Sequence, residues 1–380
     1  MADNREDNMN ENPMIGCVVV GTEHHNTLGV IRSLGMSNIY PSVYLKESDK
    51  AFVEKSRYIK ECIYYSDYDS LLPTLLRDGK RLGRRRVLIS CFDKASEILD
   101  SNKGSLSEYY MLPGMYGKYA ICDVQNKVKM SQLAQSVGLE SPKTFRIPDE
   151  IEKVPFPCIS KPFNSNYGGK ACIRLFQNKE ELLDFMNNTD VQFFVQEFID
   201  KSEEVQFIGC SLDGVIVIIP GMSKIIRSQQ STNTGYLAYT PVEAEYETTL
   251  KKSVEFIQSL GYRGLFSVEF IRDKNGKIYF LEANFRNDGN SYVVTKSGVN
   301  LPTLWYKYNC GNSYNNDMKK SKSVMFMPEF QDFHFTKNGK VSLVRWICEF
   351  MKAEAHSVWS IKDPAPFLEC IKEIRSKRKR

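Results

Sequence analysis

Glu269 and Glu282, with Asn284 and Arg286 close behind, lie in the segment Leu265–Arg286, LFSVEFIRDKNGKIYFLEANFR. Carboxylate and amide oxygens are hard donors, of the kind Mg²⁺ takes when a couple of carboxylates act together with substrate phosphates. Arg286 adds a planar guanidinium that meets phosphate or carboxylate oxygens with two parallel hydrogen bonds. A β-hairpin must position these groups. Phe266, Val268 and Phe270 alternate with Ser267, Glu269 and Ile271 in strand rhythm, Asp273–Gly276 (DKNG) is a turn signal, and Lys277–Ala283 is a second strand. Glu269 and Glu282 therefore fall on neighbouring strands. An isolated pair of glutamates is more often solvated surface charge, but Glu-Ala-Asn-Phe-Arg closing an apolar strand argues for a functional reading.

Other stretches lie upstream in an ordered series. Asn126–Pro142 is helical, with Val128, Met130, Leu133, Ala134 and Val137 on one apolar face and a stop at Gly138. Pro155–Phe176 carries Lys161 and then Gly168 and Gly169, in a loop whose backbone N–H groups can close over phosphates because glycine imposes no Cβ clash. Phe193–Gly209 follows. Taken singly, each lysine is as a rule a solvated cation. Taken in order from Lys127 to Arg286, the series resembles the ATP-grasp superfamily, in which an acidic residue on one strand is followed about a dozen residues later by E-x-N or E-x-N-x-R.

That resemblance implies roles. Lys127 is the phosphate lysine of the opening helix, with Lys129 as its nearby rival, and Lys161 is the second phosphate lysine. Gly168 and Gly169 belong to the phosphate loop. Glu197, Phe198 and Ile199 supply adenine-edge contacts, largely through backbone, and Glu204 takes the ribose hydroxyls. Glu269, Glu282 and Asn284 hold one or two Mg²⁺, with Mn²⁺ admissible. Arg286, acting with Lys161, steadies the transferring phosphoryl group or an acyl phosphate. The implied reaction is ligation: ATP phosphorylates a small-molecule carboxylate, and an amine displaces phosphate to give an amide. The chain ending is similar to that of D-aspartate ligase-like and carboligase-type carboxylate–amine ligases. Ser267 stands where D-alanine–D-alanine ligases usually carry arginine, and Asn287–Gly289 (NDG) replaces the Q-x-E of biotin carboxylases, so neither identity is implied. A phosphotransferase and a nucleotide-binding module without turnover stay open as alternatives.

The elements before the hairpin read as strand and helix in turn: Ile15–Gly21, a helix Asn26–Gly35 capped by Asn26, Val43–Lys46, helical Tyr68–Arg77 and Arg86–Cys91. The expected fold class is therefore α/β: an ATP-grasp fold of two α+β subdomains holding ATP between them, preceded by a Rossmann-like parallel α/β domain. No G-x-G-x-x-G follows the first strand, which disfavours a dehydrogenase. The expected organisation is a disordered tail 1–13, the Rossmann-like domain 14–118, a lid subdomain 119–200, a large subdomain 201–330 with the metal hairpin, and a helical extension 331–380. At strand ends, Thr22, Glu23, His24 and Asp93 are candidate substrate-lining residues; Arg227 is a candidate carboxylate grip.

Composition fits a multi-domain enzyme: 380 residues exceed what one core usually supports, and 42% apolar residues fill several. The formal charge of +5 does not point to nucleic acid, because IRSKRKR at the end of the chain carries five of the cations and no basic, aromatic-interleaved stripe accompanies it. The ten cysteines form no C-x-x-C pair, which excludes zinc-finger and redox-motif readings, and Cys17, Cys91, Cys158 and Cys172 read as small buried hydrophobes. No run approaches the roughly 18 apolar residues of a membrane span. The expected partners are thus small-molecule carboxylate and amine substrates, with no nucleic acid and no membrane, in a cytoplasmic setting, and a homodimer is left open. Leu343, Trp346, Ile347 and Phe350, at helical spacing, are expected to pack into a core.

Overall fold

The computed structural model describes residues 15–49, 51–163, 173–190, 192–228, 234–314, 318 and 321–377. The expected disordered tail 1–13, Gly168, Gly169 and Cys172 lie outside them.

Short runs of β-branched and aromatic residues build the first layer. Cys17–Val20, Ser42–Lys46, Glu61–Tyr65, Arg86–Ser90 and Tyr110–Met111 pair in parallel, with Cys17–Val20 at the centre of the sheet. Parallel neighbours need long crossovers, usually helical, and His25–Gly35 and Tyr68–Leu82 supply two of them. Both faces are covered. Val19 packs with Leu28 and Trp305 on one side, while Val18 and Val20 pack with Leu71 and Leu99 on the other. Every residue of Cys17–Val20 is accordingly buried. The first helix departs from expectation at its cap. His24, not Asn26, is the N-cap, because the Asn26 amide is drawn into tertiary bonds to the carbonyls of Cys91 and Asn287, both at 2.8 Å.

A small antiparallel sheet follows, ordered Thr144–Phe145, Phe193–Glu197, Cys158–Pro162 and Leu175–Phe176. Helix Lys179–Asn187 covers it through Leu182, which joins Cys158, Phe176 and Val195 in a separate core.

The large sheet runs from Ile278–Asn284 through Tyr262–Asp273, Lys201–Ser211, Met222–Ser228 and Gly235–Thr240 to Val324–Met327 and Ala355–His356. Its first two strands are the expected hairpin. In the turn, Asp273 Oδ1 accepts the N–H groups of Asn275 and Lys277 at 2.8 and 2.9 Å, and Gly276 takes φ +85°, a region glycine enters without steric cost. The opening helix, Lys127–Ser136, is capped by Asn126, whose Oδ1 accepts from Val128 N and Lys129 N. Its buried Met130 and Ala134 pack with Phe270 and Phe280 of the hairpin. The helix therefore shares the core of the large sheet rather than that of the small one.

The C-terminal stretch corrects an expectation. Leu343 and Ile347 on helix Leu343–Lys352 are 53% and 48% exposed, so the apolar face is not core. Contact is made by the aromatic side of the helix instead: Trp346 stacks on Phe350 at 5.5 Å and meets the ring of Phe333 edge-on at 5.1 Å. The extension also contributes the strand Ala355–His356, parallel to Val324–Met327. Beyond it, Asp363 staples the chain end to the first layer, accepting from Arg32 Nε at 3.0 Å, Ser56 Oγ at 2.8 Å and Arg57 N at 2.9 Å. Both charged side chains of the Arg32–Asp363 pair are 1% exposed. Removing one partner of such a pair strands a buried charge at a cost of about 3–5 kcal/mol. Asp363→Ala is therefore expected to lower unfolding free energy by about that amount in urea titration, while the double change Arg32→Met/Asp363→Leu recovers most of the loss.

Candidate active site

The three layers meet at a cleft of about 870 Å³, within the size range of ligand sites. Each wall follows from an element already described. The carboxyl ends of Cys17–Val20 and Arg86–Ser90 present Thr22, His24 and Asn26, then Cys91 and Asp93, as open parallel sheets do at strand ends. The opening helix contributes Lys127 and Ser131, and the small sheet contributes Ile159, Lys161, Phe194 and Gln196. Glu204, Glu269, Ile271, Leu281, Glu282, Asn284 and Arg286 come from the large sheet and the residues closing it.

Glu269 and Glu282 are direct cross-strand partners, with a bulge between Glu269 and Phe270. Facing residues on one side of an antiparallel pair lie about 4.5–5.5 Å apart at Cβ, where like charges destabilise. The surrounding groups offset this. Lys127 Nζ lies 3.5 Å from Glu282 Oε2, and Asn284 Nδ2 donates to Glu269 Oε1 at 3.1 Å. Lys161 Nζ donates to Gln196 Oε1 at 2.8 Å. Burial, reinforced by the Lys127 ammonium, pushes the Lys161 ammonium down to about 8 against the pull of Glu282 and Glu269. A further bond ties the two lysines' elements together, since Lys127 N donates to Phe163 O at 3.2 Å. Glu204 accepts from Lys201 Nζ at 2.6 Å and from Ser228 Oγ at 3.3 Å.

Arg286 joins the hairpin to the first layer. Its Nε donates to Asp93 Oδ1 at 3.0 Å, one NH donates to Asn284 Oδ1 at 3.1 Å, and Asp288 Oδ2 lies 3.6 Å away. Burial disfavours its charge, but Asp93, Asp288 and Glu269 together hold it protonated beyond the ordinary arginine range. Asn287 N donates to Ser90 O at 3.0 Å beside it. Asp288 itself accepts from Ser267 Oγ and Asn290 N, both at 2.8 Å.

The metal-binding expectation meets a specific donor set. Among the described residues no group of three or more His, Cys, Asp and Glu side chains could hold a metal ion. Two carboxylates and an amide, facing lysines that suit phosphates, fit Mg²⁺ completed by nucleotide oxygens rather than an all-protein cage.

Of the other sequence candidates, Thr22, His24 and Asp93 line the cleft and Glu23 does not. The Glu23 carboxylate is spent on the N–H groups of Phe52 and Val53. Arg227 points to the C-terminal extension, pairing with Asp332 at 2.8 Å and Glu349 at 2.7 Å. Lys129 faces Asp123 at 3.8 Å and the Tyr119 ring, away from Lys127's wall. Glu197, Phe198 and Ile199 are not among the cleft-lining residues: Glu197 exchanges bonds with Lys143, and Phe198 N donates to Pro157 O at 3.2 Å. Gln196, one residue earlier, is in the wall. Sequence reasoning missed Gln196 and Asp288, although the Asn-Asp-Gly after Arg286 was a visible signal at a strand end.

Residues 125–302 match the ATP-grasp domain. A D-alanine--D-alanine ligase from Fusobacterium nucleatum is 29% identical over 225 residues, covering 56% of this chain and 74% of that protein. A D-aspartate ligase from Enterococcus faecium is 23% identical over 260 residues, covering 60% of this chain, which spans only 61% of that relative. Among solved structures, the biotin carboxylase domain of the Hydrogenobacter thermophilus 2-oxoglutarate carboxylase, in complex with MgADP, ADP and bicarbonate, shares the fold with a TM-score of 0.65 at 16% identity, over 82% of this chain and 74% of that one. With the matched segment, the ordered motifs and the fold in agreement, residues 125–302 of this chain are an ATP-grasp domain.

Proposed function

We propose that this chain is an ATP-dependent ligase that activates a small-molecule carboxylate as an acyl phosphate and joins it to an amine. The observation that carries this reading is the placement of Arg286. It stands beside Asn284 of the paired-carboxylate hairpin and is pinned by Asp93 to the first-layer wall, in a cleft lined by Lys127 and Lys161 as well as by Thr22, His24 and Asp93. The curated relatives named above are both ligases.

In this reading Lys127 and Lys161 hold the phosphates, Glu204 takes the ribose hydroxyls, and Glu269, Glu282 and Asn284 are the residues that hold Mg²⁺. When bound, the metal neutralises charge on the phosphates. A substrate carboxylate oxygen forms a bond to the γ-phosphorus as the bond to the ADP oxygen breaks. The amine nitrogen then forms a bond to the acyl carbon as the carbon–oxygen bond to phosphate breaks, and the amine proton leaves with phosphate or solvent. No side-chain nucleophile enters. The protein positions and neutralises, and holding two reactants in register accounts for much of the rate in such transfers. Arg286 serves both half-reactions, because its fork spans two oxygens of the group in transit.

Hydroxylamine is a direct test. Protein supplied with Mg-ATP, hydroxylamine and a panel of amino acids that includes D-alanine and D-aspartate is expected to form a hydroxamate together with ADP. A stable phosphorylated product that hydroxylamine leaves untouched would point to a phosphotransferase instead. Arg286→Lys should retain Mg-ATP binding and lose most of the hydroxamate, because an ammonium cannot reproduce the fork.

The lysine assignment has its own check. Lys127→Ala is expected to abolish the stabilisation by Mg-ATP, roughly 2.7 kcal/mol at a hundred times the dissociation constant, whereas Lys129→Ala should keep it. Equal losses in differential scanning calorimetry would show that the wrong lysine has been assigned.

Lys161 sets the pH behaviour. Its ammonium is depressed from 10.5 to about 8, so above about pH 8 phosphate binding must draw a proton from solvent. Nucleotide affinity by calorimetry should fall with pH from about 8 toward 10.5, by at most about tenfold per unit, and Lys161→Met should bind weakly without that slope. In the nucleotide-free protein the unfolded chain binds this proton more tightly across the same window, so stability rises there with pH.

A further inference from the structure

The first-layer wall of the cleft carries a titratable group that the mechanism above leaves unused. His24 closes the turn after Cys17–Val20 and caps helix His25–Gly35, its Nδ1 accepting the N–H of Asn26 at 3.2 Å. A backbone N–H can only donate, so Nδ1 holds its lone pair there and the neutral ring carries its proton on Nε2. Among the described residues Nε2 has no hydrogen-bond partner, while the side chain lines the cleft.

The groups around His24 keep it in that state. Burial and the neighbouring Arg286 guanidinium push the imidazole down to about 4, with Asp288 working against them. The His25 ring behind it, 3.9 Å away between centroids, is likewise held neutral by burial and by His24. The nearby acids are engaged elsewhere: Asp93 accepts from Arg286, and Asp288 accepts from Ser267 and Asn290. A neutral ring whose one lone pair is already used cannot take a proton from an incoming amine. It can only donate, and beside a guanidinium its natural acceptor is an anionic oxygen.

Resting on the ligase reading, we propose that His24 is a substrate-specificity residue: its Nε2–H donates to an oxygen of a substrate carboxylate on the first-layer side of the cleft, and it does not act as the base for the amine. Asparagine is a strong N-cap, so His24→Asn keeps the helix start and withdraws the donor, whereas His24→Ala loses both.

Two measurements on the full chain decide the matter. In long-range ¹H–¹⁵N spectra the His24 ring should show the Nε2–H tautomer, unchanged from pH 5 to 8, and its Nε2 resonance should move when the amino-acid panel is added to the Mg-ADP complex. In turnover, His24→Asn should raise the KM of the most active amino acid about tenfold, the size of one lost hydrogen bond to a charged group, with the Mg-ATP KM and melting temperature unchanged. A ring titrating near 6.5, an Nδ1–H tautomer, a resonance that no amino acid moves, or an unaltered amino-acid KM overturns the proposal. Wild-type protein that releases no ADP with any of the panel sinks the ligase reading alone, and the resonance shift then decides for or against the His24 contact.

Discussion

Two carboxylates held face to face across a β-ladder repel, and the rest of this molecule is arranged around that fact. The register of the hairpin leaves Glu269 and Glu282 no freedom to separate, because slipping a strand by one residue would turn Phe270 and Phe280 out of the core. The pair therefore needs positive charge brought to it. Lys127 arrives on a helix whose other face is committed to the same core, and Lys161 arrives on the small sheet, desolvated enough to have its ammonium weakened. In the proposed reading a divalent cation with its phosphates would complete the compensation.

The same logic extends outward. Arg286 needs Asp93, and Asp93 belongs to the first layer. The hairpin exit is bonded to that layer again through Asn287 and Asn26. The C-terminal extension then holds the first layer and the large sheet by separate buried contacts, Asp363 with Arg32 on one side and Asp332 and Glu349 with Arg227 on the other. Charge pairs of this kind specify geometry more than they stabilise, since each costs desolvation. Here they fix the C-terminal extension against the first layer and the large sheet.

How much of this was legible in the sequence depended on how local the signal was. The hairpin, the opening helix and the parallel first layer are written in period-2 and helical patterns with a turn or a glycine stop at the right place, and they formed close to the expected bounds. Lys127 reaches the cleft from the opening helix and Arg286 from the exit of the hairpin, while Lys161 and Glu204 come from the strands Cys158–Pro162 and Lys201–Ser211. What failed was non-local. Asn26 has the chemistry of a cap and is diverted by distant carbonyls; Arg227 has the chemistry of an anion grip and is claimed by acids more than a hundred residues away. The apolar spacing of Leu343 and Ile347 is real, yet whether a neighbour covers that face is decided by tertiary packing. Gln196 was overlooked because a polar residue in an apolar strand carries no motif.

The central claim is that Glu269 and Glu282 form the metal end of a nucleotide site. Electron paramagnetic resonance of Mn²⁺ tests it most directly, because the bound ion loses its free six-line signal. With ADP present, wild-type protein should sequester one or two equivalents of Mn²⁺, and Glu282→Gln, folded as judged by circular dichroism, should leave the signal free. If the glutamine variant sequesters Mn²⁺ as well as the wild type does, or if ADP binds equally tightly in EDTA, the paired carboxylates are not a metal site and the account is wrong.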